Sequence, residues 1–119
     1  MAEITRPARL SFSGESNLGL HRRKNEDSFC LVVRPGARNQ LAVIADGVGG
    51  HTDGELASFL CCRRLLLNWR CSGLSDATDG EAIGRFLRAS VEQANREIYE
   101  QNRAVHHNPP MCTTVVAAI

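Results

Sequence analysis

The chain has 119 residues, which suits one domain whose core buries about two-thirds of the unfolded surface. Its 43% hydrophobic and 23% charged content is that of an ordinary soluble protein, and a net charge of +1 excludes a global field drawing it to nucleic acid or membrane. Aromatic residues make up 5%, and no basic stripe is interleaved with them as nucleic-acid binding would need.

Met1 to Leu10 is polar and lacks an apolar h-region, so no signal peptide is expected, and no apolar run is long enough to span a bilayer. The five cysteines, Cys30, Cys61, Cys62, Cys71 and Cys112, form no C-x-x-C pair. They read as reduced thiols of a cytoplasmic protein, with Cys61 and Cys62 as small core or boundary residues of a helix.

Arg9 to Glu15 alternates apolar and polar residues, the pattern of a half-buried strand with Leu10 and Phe12 inward. Ser16 to Gly19 is turn chemistry. The block His21 to Asp27 packs three cations and two anions into a loop. Ser28 to Val33 reads as a strand with Phe29, Leu31 and Val33 on one side. Pro35-Gly36 then turns the chain. Gln40 to Ala45 returns as a continuous apolar run, the signature of a strand covered on both faces. A hairpin joins the two strands and brings the charged block beside Asp46.

Asp46 is followed by Gly47, Gly49 and Gly50, then by His51 and a Thr52-x-x-Glu55 capping box. Two readings of Asp46-Gly47 stand side by side. Asp-Gly is a common turn dipeptide. A carboxylate at the end of a buried strand also needs a partner, and a metal ion held by Asp46 and the Gly47 carbonyl is one.

Glu55 to Trp69 is the first helix, with Leu56, Phe59, Leu60, Leu66 and Leu67 as its apolar stripe, interrupted by Arg63 and Arg64. A second capping box at Thr78-x-x-Glu81 opens a helix from about Glu81 to about Val105. Its apolar face is Ile83, Phe86, Leu87, Val91, Ala94 and Ile98. Glu92, Arg96, Glu100 and Arg103 face water, with Glu92 and Arg96 paired at i,i+4. His106 and His107 suit the negative helix pole as exposed caps. Asn108-Pro109-Pro110 stops the helix, and Met111 to Ile119 is a β-branched strand.

Three stretches in this order are Gly19 to Phe29 with its Arg22-Arg23-Lys24-Asn25-Glu26-Asp27, then Ala45 to His51 with Gly54-Glu55, then Cys112 to Val116. Together they resemble the opening half of the bacterial protein phosphatase 2C-like family of metal-dependent serine/threonine phosphatases. The resemblance covers nearly the whole chain. It implies an α+β fold, a partial α-β-β-α sandwich of antiparallel sheets with two flanking helices, and residues 1–119 as one truncated domain of that type. It implies a centre of two Mn²⁺ or Mg²⁺ ions. Asp46 would bridge both, the Gly47 carbonyl would serve one, and Glu26 would bind the second directly or through water, with Asp27 anchoring the loop. Arg22 would grip the substrate phosphate, Arg23 being the register alternative. Against these stand a solvated loop arginine and an ordinary surface acid. Some family members carry a histidine directly after Asp-Gly; Val48 stands there, so that acid role is not transferred, and His51 reads as a cap or hydrogen-bonding residue. Thr113 and Thr114 read as structural.

The family's later aspartate ligands fall beyond Ile119, so the site is expected to be incomplete within this chain. Two functions follow. One is phosphomonoester hydrolysis on a phosphorylated protein substrate, with this chain weak or inactive alone. The other is a non-catalytic binding or assembly module that self-associates through its C-terminal strand.

Overall fold

A computed structural model of the chain describes residues 11–48 and 53–119. Met1 to Leu10, and Gly49, Gly50, His51 and Thr52, lie outside the described residues, and with them most of the expectations about the N-terminus, the glycine run and the first capping box.

Strand β1 (Asp27–Val32) pairs antiparallel with β2 (Leu41–Val48) in the register Asp27 to Asp46. The hairpin is as the turn chemistry predicts. Gly36 takes a φ of 82° and the Ala37 N–H donates to the Arg34 carbonyl, closing the reversal after Pro35. Helices α1 (Gly54–Ser72) and α2 (Gly80–Val105) follow, separated by a 3-10 turn at Leu74–Asp76. The final segment forms β3 (Cys112–Thr113) and β4 (Val116–Ala118), both antiparallel to β2. The register is the same on either side of Thr114, so β3 and β4 are two parts of the single strand expected there. β2 is central, with β1 on one side and β3 and β4 on the other. Among the described residues there is one antiparallel sheet with two helices, so only one sheet of the expected sandwich is seen. No helix among them is long and apolar enough to cross a membrane.

The core fills the space between the sheet and the helices. Leu41, Val43 and Ala45 of β2 meet Ala57, Leu60, Leu65 and Trp69 of α1, and Ala94 and Ile98 of α2 close the far side. Trp69 meets Phe86 edge-on at 5.5 Å between ring centroids, a favoured aromatic arrangement. Cys61 and Cys62 are both buried, as their small apolar character suggests.

Several local expectations are overturned. Ser11 to Glu15 is not a strand, and Phe12 is exposed; the segment makes no ladder with β1 but lays Gly14 against the Phe29 ring. β2 is not covered on both faces. Its burial alternates strictly, leaving Ile44 and Val48 more than half exposed. β1 turns its other face inward: Cys30 and Val32 pack on the core, and the Ser28 hydroxyl bonds to buried Ser58 at 3.0 Å, while Phe29 and Val33 are exposed. Ser28 is accepted inward because its hydroxyl is satisfied there. On α1, Phe59 and Leu67 are exposed, and Ala57, Ser58, Cys61, Cys62 and Leu65 take the buried positions. Arg63 and Arg64 break the stripe because both reach across to Glu97 of α2.

The helices begin at Gly54 and Gly80, each one residue before the expected start, and their N-caps are Asp53 and Asp79 in place of the capping-box threonines. Asp53 is the N-cap of α1 and makes no side-chain cap bond. Asp79 caps α2, its Oδ1 accepting the Glu81 and Ala82 N–H groups at 2.9 and 3.2 Å. The water-facing side of α2 is as expected, but Glu92 and Arg96 form no ion pair with one another. His106 is an exposed left-handed C-cap, whereas His107 is not an exposed cap. It lies half-buried between Asn102 Oδ1, 3.2 Å from Nδ1, and Asp53 Oδ2, 3.4 Å from Nε2.

Candidate active site

The charged loop, the end of β2 and the start of α1 converge at one end of the sheet. Asp46 is not a turn residue. β2 runs on through Asp46, Gly47 and Val48, with Asp27 opposite Asp46 on one side and Thr113 opposite Gly47 on the other. Thr114 clamps the Asp46 backbone. Its N–H donates to the Asp46 carbonyl at 2.9 Å, and its Oγ1 accepts the Asp46 N–H at 3.3 Å. The Asp46 side chain points out of the sheet and is exposed.

Gly47 is required for a reason the sequence does not disclose. It has no positive φ; its place is a backbone crossing. A Cβ there would lie 2.6 Å from the Glu26 carbonyl oxygen and 2.5 Å from the Gly54 carbonyl carbon. The Gly47 N–H donates to the Glu26 carbonyl at 2.9 Å. Gly54 is equally confined, since a Cβ on it would lie 2.8 Å from Glu26 Oε1. These two glycines let β2, the charged loop and α1 meet, and they fix Glu26 next to Asp46.

A cavity of about 190 Å³ lies at this junction, with Arg22, Lys24, Glu26, Asp27, Asp46 and Gly47 in its wall. Every predicted site residue is therefore in one place. The Glu26 side chain is 11% exposed; Arg22, 74% exposed, sets its Nη1 3.4 Å from Glu26 Oε2. With its guanidinium largely in water, Arg22 is held only weakly by this contact and can exchange partners. Asn25 Oδ1 accepts the Asp27 N–H at 3.0 Å and its amide donates to Ser16 Oγ at 2.7 Å, which shapes the loop from inside.

Thr114, read from the sequence as structural, holds the Asp46 backbone as that reading implies, whereas the role of Lys24 escaped the sequence reading. Lys24 Nζ bonds Glu55 Oε1 at 2.6 Å and ties the loop to the first turn of α1. That hydrogen bond raises the Lys24 pKa and lowers that of Glu55. A Lys and a Glu separated by 31 residues carry no local signal of this.

The donor set in the cavity is all oxygen, with no thiol or imidazole, which suits a hard cation such as Mg²⁺ or Mn²⁺. Among the described residues no group of three or more Asp, Glu, His or Cys side chains stands close enough to hold one ion. The fit to a divalent cation is thus right in kind and short in number.

No family model matches the chain. It is 32% identical over 101 residues to the serine/threonine phosphatase Stp of Listeria monocytogenes, covering 85% of this chain and 39% of that protein. It is 36% identical over 110 residues to the serine/threonine protein phosphatase PstP of Mycobacterium tuberculosis, covering 92% of this chain and 19% of that one. The crystal structure of Stp1 from Staphylococcus aureus superposes with a TM-score of 0.75 at 28% identity, covering 87% of this chain and 39% of that structure. The chain therefore spans about two-fifths or less of these relatives.

Proposed function

On the premise that this chain is related to the bacterial protein phosphatase 2C-like serine/threonine phosphatases, we propose that it carries part of a metal-dependent phosphatase site acting on phosphorylated protein. The observation that carries this reading is the shared cavity of Arg22, Glu26, Asp46 and Gly47. Asp46 and Glu26, with the Gly47 carbonyl, would hold Mn²⁺ or Mg²⁺. Bound there, such ions would supply a water acidified enough to attack phosphorus near neutral pH. Arg22 binds and orients the phosphoryl oxygens, its planar guanidinium matching two of them at once. Asp27 and Asn25 hold the loop that presents Arg22 and Glu26. Ser28 needs no nucleophilic role, and its hydroxyl is engaged with Ser58.

Mn²⁺ binding and Mn²⁺-dependent hydrolysis of p-nitrophenyl phosphate by the 119-residue protein test this. Asp46→Ala is expected to abolish Mn²⁺ binding. Arg22→Ala is expected to leave it intact and to lower any Mn²⁺-dependent kcat/KM by about 10- to 100-fold, the worth of one charge-assisted contact. Mn²⁺ affinity unchanged in Asp46→Ala would sink the assignment.

A second reading, an assembly module that self-associates through its C-terminal strand, is favoured by the outer face of the sheet. Phe29, Ile44, Val48 and Val116 are all exposed there, and among the described residues β3 and β4 form a sheet edge. Sedimentation equilibrium decides it: a dimer that Val116→Lys dissociates supports this reading, and a monomer at all concentrations refutes it.

A further inference from the structure

Where β1 lies on α1, Cys30 faces Cys62. The Cys30 Sγ donates to the Cys62 carbonyl oxygen at 3.8 Å, and both residues line a second cavity of about 380 Å³ beside the outer edge of β1. Phe59, half exposed, forms part of the same wall, so the cavity reaches solvent. The neighbouring Cys61 does not line it and is buried in the core. The phosphatase reading uses none of these thiols.

The two facing thiols are inequivalent. A hydrogen bond between the two side chains, apart from the contact to the carbonyl, lowers the pKa of Cys30. That side-chain hydrogen bond, and then burial, push that of Cys62 up. Burial raises Cys61 to about 11. Thiolate character and access together select the sulfur that reacts, and a second thiol in reach resolves the product.

We propose that Cys30 and Cys62 are a peroxide-oxidisable pair that closes a disulfide between β1 and α1. The Cys30 thiolate attacks one oxygen of a hydroperoxide. An S–O bond forms, the O–O bond breaks, and the leaving oxygen departs as water or an alcohol once protonated. Cys62 sulfur then attacks the Cys30 sulfenic acid. The S–S bond forms, the S–O bond breaks, and the hydroxide leaves as water with the Cys62 proton. The two sulfurs together lose two electrons and the peroxide gains them. The link spans 32 positions of sequence and fastens the strand that follows the charged loop to the helix beneath it. This inference is independent of the phosphatase reading.

The test uses the 119-residue protein with the exposed Cys71 and Cys112 changed to Ser, to suppress cross-linking between molecules. It is treated with hydrogen peroxide and mapped by mass spectrometry without reduction. The expected result is an intramolecular loss of two hydrogens joining the Cys30 and Cys61-Cys62 peptides. It persists in Cys61→Ala and disappears in Cys62→Ala and Cys30→Ala. In Cys62→Ala, Cys30 should instead be trapped by dimedone as the sulfenic acid. A Cys30 that stays a free thiol in the parent protein, or a link that survives Cys62→Ala, overturns the proposal. The parent measurement stands even if a variant fails to fold.

Discussion

Gly47→Ala tests the backbone crossing on which the site depends. The added methyl would lie 2.6 Å from the Glu26 carbonyl oxygen, 2.5 Å from the Gly54 carbonyl carbon, and closer still to the Gly54 carbonyl oxygen. Comfortable carbon contacts begin near 3.5 Å, so about 1 Å must open on two sides at once. None of these atoms belongs to a side chain that can rotate away. They are backbone of the charged loop and of the first residue of α1. Overpacking a core against movable neighbours costs about 1–3 kcal/mol, so a clash with fixed backbone is expected at about 3 kcal/mol or more. For a domain of this size that is a fall in Tm of roughly 10–15 °C. Circular dichroism melts give the answer, with Gly84→Ala as the counterpart. Gly84 lies inside α2, with nothing within 4 Å of its would-be Cβ, so Ala there should stabilise by about 0.5–1 kcal/mol. A Gly47→Ala protein melting within about 2 °C of the parent would refute the crossing as described.

Asn102 bonds both the N–H and the carbonyl of Met111, each at 2.9 Å, and Met111 is 1% exposed. Asn102→Ala leaves both groups buried without partners and is expected to cost about 2–4 kcal/mol in urea unfolding; a cost below about 1 kcal/mol would mean that water replaces the amide. Asp79→Ala removes two cap bonds from α2 and should cost about 1 kcal/mol, with little from its exposed Arg85 pair. The Lys24–Glu55 contact predicts a pH dependence. Glu55, depressed by its hydrogen bond from Lys24, contributes stability present above its unfolded pKa near 4.5 and lost as pH falls through the lower folded value. Lys24, raised by the same bond, contributes stability present below 10.5 and lost as pH climbs through the higher folded value. Lys24→Met should therefore flatten both ends of the Tm–pH curve, and an unchanged acid limb would disprove the linkage.

Much of this chain was written locally. Pro35-Gly36 dictates the hairpin, and the hairpin alone puts the charged loop beside Asp46. The 3.6-residue spacing of Ile83 to Ile98 dictates the buried face of α2, and the β-branched run after Pro110 dictates the last strand. Asp46 and Gly47 could be named from residue type at the end of an apolar strand, whereas Arg22 and Glu26 were named only through the resemblance to the phosphatase family. What lay outside the reach of sequence was every choice made by a distant neighbour. Phe29, Leu31 and Val33 look a better inward face than Ser28, Cys30 and Val32. Only Ser58, the Cys62 carbonyl and the small residues of α1 make the second face the one that fits. Asp46-Gly47 has the composition of a turn, yet Thr113 and Thr114, more than sixty residues on, hold it in a strand. Gly47 is glycine because Gly54 and Glu26 cross it, and His107 is drawn from solvent by Asp53. Local sequence sets backbone reversals and periodicity, since these depend on torsions and near neighbours. Which face is buried, and which glycine is indispensable, depends on atoms that reach each other only once the chain is folded.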